Sequence, residues 1–464
     1  MLKKQFFLFI VLLGLTTISA NAQYTPLYSF NDTSGAVPFG SLTFSGNKFY
    51  GMTQFGGTYG DGTIFSVDTN GKAYKVLFSF NGKNGNTPYG SLILSNGVLY
   101  GMTNQGGKDT DGNIFSIDTN GNNFNDLLDF NDTNGQYPGG SLVRLGNKLY
   151  GMTMLGAKYD SGCIFSIDTN GSGYADMHDF NDTLGQYPNG DLICIGQKLY
   201  GMASAGGAAG KGCVFSIDTN GGGYTDIFDF HGSDGSVPYG SLTAYKGTLF
   251  GMTSNGGING DGIIFSVDTN GTNYMQMLDF TGANGRYPLG SLILSKGRLY
   301  GMSNIGGAGA NGNVFSIDAS GLNYTDLFDF NGTNGAAPQG NLTLLGNLLY
   351  GMTANGGTND YGVIFSLDTN SVAAVNELKT ENEVVRVFPN PSNGLFQLKI
   401  TNYELGMNNT VEVYNMLSEK VFSQSVISNS QFVINMNNRP AGVYFYRIIA
   451  ESGAIIGEGK LIID

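Results

Sequence analysis

A chain of 464 residues exceeds the size at which a single hydrophobic core stops growing, so several units or a repeat array are expected. Glycine stands at 73 residues and charged residues at 13%, which points away from helices and toward tight turns between short strands. The formal charge of −13 argues against nucleic acid or an anionic membrane as the main partner, since both demand clustered Lys and Arg.

Residues 1–22 read as a secretory leader. Lys3 and Lys4 form its positive end, Phe6 to Leu15 an apolar core too short to span a bilayer comfortably, and Ala20-Asn21-Ala22 a small-x-small cleavage site. Cleavage between Ala22 and Gln23 is expected. No Cys follows the site, which argues against a lipid anchor, and no transmembrane segment is expected once the leader is gone.

The next segment, Tyr24 to Phe30, aligns with Tyr74 to Phe80, the last part of a unit that recurs down the chain. Gly-Met marks that unit at Gly51-Met52, Gly101-Met102, Gly151-Met152, Gly201-Met202, Gly251-Met252, Gly301-Met302 and Gly351-Met352, always at an interval of 50 residues. Each copy holds four apolar runs. In the second copy they are Ser91 to Ser95, Val98 to Thr103, Asn113 to Asp118 and Phe124 to Phe130. Their lengths suit strands, and Gly, Asn, Asp or Pro punctuates every gap. Links such as Gly146-Asn147 and Asp118 to Gly121 are short enough for hairpins.

Four hairpin-linked strands per 50 residues predict an all-β fold, a seven-bladed β-propeller with four-stranded blades. The array ends after Val363 to Asp368, a third strand, and Ser371 onward lacks the fourth-strand pattern. The spare N-terminal strand is therefore expected to close the last blade. The domain reading is a leader at 1–22, the propeller at 23–370, a linker at 371–383 and a C-terminal domain at 384–464. The alternation of Leu395 to Ile400 predicts a small antiparallel β-sandwich for that last domain.

The run LYGMT-x-x-GG-x-x-x-x-G-x-IFSID, together with Leu77 to Ser95, resembles the Gloeo–Verruco (GloVer) tandem repeat over about residues 24–370. The third copy departs from it with Gly156-Ala157. The resemblance implies a kelch-like propeller and transfers no catalytic residue; kelch blades usually carry Trp, and this chain has none. Farther on, Phe388-Pro389-Asn390-Pro391, Gly394, Val411-Glu412-Val413-Tyr414 and Pro440-Ala441-Gly442-Val443-Tyr444 resemble the type A C-terminal sorting domain of the type IX (Por) secretion system of Bacteroidetes. That resemblance implies the type IX machinery as a partner, passage across the outer membrane, and tag removal with release or surface attachment.

Residues suited to catalysis are sparse. With only His178 and His231, a His-rich metal site or a repeated Ser-His-Asp triad is excluded, and no phosphate-binding loop precedes a helix. Cys163, Cys194 and Cys213 form an odd set, read as unpaired thiols. No cofactor is expected. Calcium is one reading of Asp129 to Gly135 and Asp179 to Gly185, although EF-hand spacing is missing and turn bonding accounts for the same residues.

Asp191 replaces the usual Ser at the start of a first strand, near the presumed channel, while Asp109 and Asp160 are other non-repeating acids. The longer links, Asn131 to Gly140 and Gln54 to Gly62, should emerge on one face with fixed Gly and Pro and varying tips. Tyr59, Tyr137, Tyr159, Tyr187, Tyr287 and Tyr361 lie there and could stack on sugar rings. The expected function is a secreted or surface-attached binding or adhesion module for glycan or surface protein. The alternatives are a carbohydrate-active enzyme with paired carboxylates on that face, and a structural surface-layer component.

Overall fold

The computed structural model describes residues 23–369, 385–388, 392, 394–400, 409–415, 419–426, 432–449 and 455–463. The expected leader, with Ala22 of its cleavage site, and the expected linker at 371–383 lie outside the described residues. The chain divides into two compact units, Met1–Ala374 and Val375–Asp464.

The first unit contains seven four-stranded antiparallel sheets, one per sequence repeat. In the second sheet the strands are Ile93–Ser95, Val98–Thr103, Asn113–Asp118 and Asn125–Asp129, paired in sequence order. The second and third strands read as nearly continuous apolar runs because both of their faces are covered. Leu99, Ile114, Phe115 and Ile117 are wholly buried. The first strand is shorter than its apolar run. Ser91 and Leu92 precede the ladder, Ser91 donating its N–H to Ser141 Oγ and Leu92 filling the core.

Neighbouring sheets pack face to face. Tyr50, Met52, Ile64 and Phe80 meet Leu92, Leu99, Phe115 and Ile117 of the second sheet. Glycine in the recurring Gly-Met pair makes room for an aromatic ring: a Cβ on Gly151 would lie 2.6 Å from Cζ of Phe165, its cross-strand partner. The methionines themselves are buried core residues.

The seventh sheet is completed by the start of the chain. Gln23–Ser29 pairs with Val363–Asp368 from Gln23↔Asp368 to Ser29↔Val363, taking the outer position that the fourth strand holds elsewhere. Tyr24 stacks on Phe328 at 4.4 Å and donates its hydroxyl to the carbonyl of Asn334 at 2.6 Å. Tyr274 makes the matching contacts in the fifth sheet, with Phe228 at 4.1 Å and the Asp234 carbonyl at 2.7 Å. Tyr350, Met352 and Ile364 of the seventh sheet pack against Leu42, Phe49, Phe65 and Val67 of the first.

The second unit has a three-stranded sheet of Val385–Phe388, Leu395–Ile400 and Phe432–Asn435. Its four-stranded sheet holds Lys420–Val426, Asn409–Tyr414, Gly442–Ile449 and Ile455–Ile463. Phe396 and Ile434 from one sheet share a core with Val411, Val413, Tyr444, Ile448 and Leu461 from the other. Among the described residues no helix is long and apolar enough to cross a membrane.

Candidate functional site

The segments entering the first strands meet in a ring. Ser41 N–H donates to Ser91 Oγ (2.8 Å), Ser91 to Ser141 Oγ (2.7 Å) and Ser141 to Asp191 Oδ1 (2.5 Å). Asp191 N–H donates to Ser241 Oγ (2.7 Å), Ser241 to Ser291 Oγ (2.7 Å) and Ser291 to Asn341 Oδ1 (2.6 Å). Asn341 N–H returns to Ser41 Oγ at 2.8 Å. The preceding glycines allow this approach: a Cβ on Gly40 would collide with the Gly90 carbonyl, and one on Gly340 with that of Gly40.

The ring lines an open pocket to which every repeat contributes. Around it stand Phe39, Tyr89, Asn189, Tyr239, Leu289 and Gln339, with glycine at the third copy's equivalent, Gly139. Asp191 is the one charged side chain among the lining residues. Enclosure by protein pushes its carboxyl up, against hydrogen bonds from Ser141 and Ser241 that pull it down. Asn189 donates to the Tyr187 carbonyl at 3.1 Å, while its own Oδ1 is buried without a partner.

The two long-loop families are joined to each other. Within the first sheet Ala36 N–H donates to the Phe55 carbonyl at 2.8 Å. Between sheets, Tyr137 N–H reaches the Asp111 carbonyl (2.9 Å), Tyr187 that of Ser161 (3.1 Å), Tyr287 that of Asp261 (2.9 Å), and Val37 that of Tyr361 (3.0 Å). These bonds hold the residue before each recurring proline at positive φ, 54° for Tyr137, 55° for Tyr187 and 51° for Tyr287, a region costly for a non-glycine residue.

The six tyrosines singled out in the sequence are distributed over different repeats. Tyr59 is the most exposed at 62%, followed by Tyr159 at 49%. Tyr361 and Tyr187 are exposed, whereas Tyr137 and Tyr287 are half-buried. Lys158 Nζ lies 4.9 Å from the Tyr159 ring centroid. The Arg286 guanidinium covers one face of Tyr287 at 4.4 Å and donates to its hydroxyl at 2.8 Å. Asp191 belongs to the ring pocket, and Gln23 opens the strand that completes the seventh sheet.

The loops read as calcium candidates have internal donors on their oxygens. Asn131 Oδ1 accepts from Thr133 N–H (2.9 Å), Asn134 Oδ1 from Asn131 N–H (2.7 Å), and Asp129 Oδ1 from Lys108 N–H (2.8 Å). Among the described residues no three His, Cys, Asp or Glu side chains converge on a metal position.

Paired carboxylates occur away from the pocket, on the outer strands. A register shift between Val214 and Phe215 leaves Asp226 opposite Phe215 and Asp229 opposite Cys213, so both face one way. Burial and the Asp229 charge raise Asp226 to about 7, and burial and Asp179 likewise raise Asp176 to about 6. Asp226 Oδ1 is buried without a donor, while Asp229 Oδ1 accepts Ala208 N–H at 2.7 Å and anchors the loop above. In the fifth sheet Gln276 Nε2 donates to Asp279 Oδ2 at 2.6 Å, supplying through an amide the hydrogen that two acids must share. Recurrence of the arrangement suits a framework part, and the ring pocket lacks a second carboxylate to work with Asp191.

The three cysteines are unpaired. Cys163 and Cys213 are buried and Cys194 is half-buried, and burial pushes the Cys163 thiol up to about 12. His178 stacks on Tyr224 at 3.7 Å. The sequence reading missed Phe39, Tyr89, Asn189 and Tyr239. The available signal was a single variable residue held between recurring Pro and Gly in each copy.

The chain belongs to the Gloeobacter/Verrucomicrobia repeat family, whose repeat matches residues 14–153, 144–274 and 244–403. Residues 386–464 match the secretion system C-terminal sorting domain, which indicates export by type IX secretion to the cell surface or extracellular space and contact with that machinery. No curated protein matches the sequence.

Among solved structures, a puromycin-hydrolyzing peptidase of Mycobacterium tuberculosis is similar at 12% identity and a TM-score of 0.51, covering 83% of this chain and 63% of its own. The extracellular domain of a hybrid two-component system from B. thetaiotaomicron is 12% identical with a TM-score of 0.48, covering 95% of this chain and 57% of its own. An oligogalacturonate lyase from Vibrio parahaemolyticus is 8% identical with a TM-score of 0.44, covering 75% of this chain and 93% of its own. The chain thus spans less than two thirds of the first two.

Proposed function

We propose that the protein is an exported binding module, a closed seven-bladed β-propeller whose loop surface recognises a glycan or a surface protein. Closure is supported by the return of the hydrogen-bonded ring from Asn341 to Ser41 and by the pairing of Gln23–Ser29 with the last sheet. The processed form comprises the propeller at 23–370 and a linker at 371–383. The leader is cut between Ala22 and Gln23, and the sorting region from 384 onward is removed after export. Intact mass of the exported protein reads these boundaries.

The binding reading rests on one observation. Bonds between loops of successive sheets, such as Tyr187 N–H to the Ser161 carbonyl, fix a backbone frame that repeats while the tips differ. A stiff frame with varied tips lowers the ordering cost of recognition. The exposed rings of Tyr59, Tyr159 and Tyr187 offer flat apolar surface to a sugar or a protein loop.

A glycan array on the purified protein should return a ligand. Replacing Tyr59, Tyr159 and Tyr187 together by Ala should weaken that ligand at least about tenfold by calorimetry, with the thermal midpoint kept. Asn120→Ala and Asn170→Ala, in the short turns between third and fourth strands, should leave it unchanged. The reverse pattern would place recognition on the opposite face.

A further inference from the structure

We propose that the ring pocket, lined also by Phe39, Tyr89 and Tyr239, binds an organic cation bearing N–H donors, an alkylammonium or guanidinium group, held by Asp191 and Asn189. The lining residues include one carboxylate and no cationic side chain. The donors that Asp191 has within the protein, Ser141 N–H and the Ser141 and Ser241 hydroxyls, are all neutral. A half-buried carboxylate without a counter-charge favours a ligand that supplies one.

A second acceptor points the same way. Asn189 is only 7% exposed, and its Oδ1 stands unpartnered against Gly139, another lining residue. The pocket therefore pairs a half-buried charge with an unmet acceptor, a combination suited to N–H donors. Aromatic side chains among the lining residues suit a cation as well.

Other ligand classes fit less well. An anion would meet Asp191, and a bare divalent ion needs more oxygen ligands than one carboxylate and one amide provide. Tyr59 and Tyr159 are not among the lining residues, so the pocket can be tested separately from recognition at those tips.

The test uses the purified full chain, titrated with n-butylammonium and methylguanidinium and, as neutral and anionic controls, n-butanol and butyrate. Calorimetry should show millimolar binding of a cation and none of either control. Asp191→Ser restores the residue common to other copies and should weaken the cation at least about tenfold. Tyr239→Leu, the residue found at Leu289 in the next copy, should weaken it less. Replacing Tyr59 and Tyr159 together by Ala should leave cation binding as in the parent. Absence of cation binding to the parent, or equal affinity in Asp191→Ser and Tyr239→Leu, would overturn the assignment.

Discussion

At the scale of single residues, recurrence in this chain reports close approach as often as it reports packing. The Gly-Met pair illustrates both. Methionine fills the space between sheets, and glycine is there because the cross-strand phenylalanine ring lies over its Cα. At Gly151 an added Cβ would sit 2.6 Å from Phe165 Cζ, and the ring is wholly buried with no room to retreat. Gly151→Ala is therefore expected to destabilise by about 1–3 kcal/mol, the range for overpacking a tight core. Thermal or denaturant unfolding checks it. Periodicity could identify such a glycine as obligatory but could not say which ring displaces a side chain, because that depends on strand register.

At the scale of the element, the outer strands carry a device that alternation conceals. In a regular strand, residues three apart face opposite ways, so Asp226 and Asp229 would not be read as a pair. The shift at Val214/Phe215 brings them to one face, and the same shift recurs at Ile164/Phe165 and Val314/Phe315. Strand positions were therefore largely legible in the sequence, but the carboxylate pairs were not, since a bulge decides them. The pocket was half legible: Asp191 stood out by breaking a pattern, whereas Tyr89 and Tyr239 sat at a position that holds six residue types in seven copies. Asp226, raised to about 7 from an ordinary value near 3.8, binds more protons in the folded state than in the unfolded state between those limits. Its contribution to stability must fall as pH rises through that window. Asp226→Asn places an amide where Gln276 already serves, so it should raise the unfolding midpoint at pH 8 and leave it nearly unchanged at pH 4. A parallel offset at both pH values would show that the pair does not share a proton.

At the scale of the whole molecule, the question is whether the seven sheets act as one cooperative body. A linear stack has two ends, and its terminal sheet can fray without the rest. Here the N-terminal strand contributes Tyr24, which reproduces in the seventh sheet the stacking and hydroxyl bond that Tyr274 makes in the fifth. If the ring is closed, the two tyrosines are equivalent links in one loop. Tyr24→Ala and Tyr274→Ala should then lower the same single unfolding transition by similar amounts, on the order of 3 kcal/mol for truncating a large packed ring. Deleting Tyr24 to Phe30 should cost considerably more. It removes seven residues, bares the edge of Val363–Asp368, and strips Phe30 and Tyr28 from the core shared by the seventh and first sheets. Self-association through the bared edge should accompany the loss of stability, visible by size-exclusion chromatography. Calorimetry separates the cases. In an open array the deletion melts one sheet early and leaves the main midpoint in place, whereas in a closed ring the whole transition moves down together.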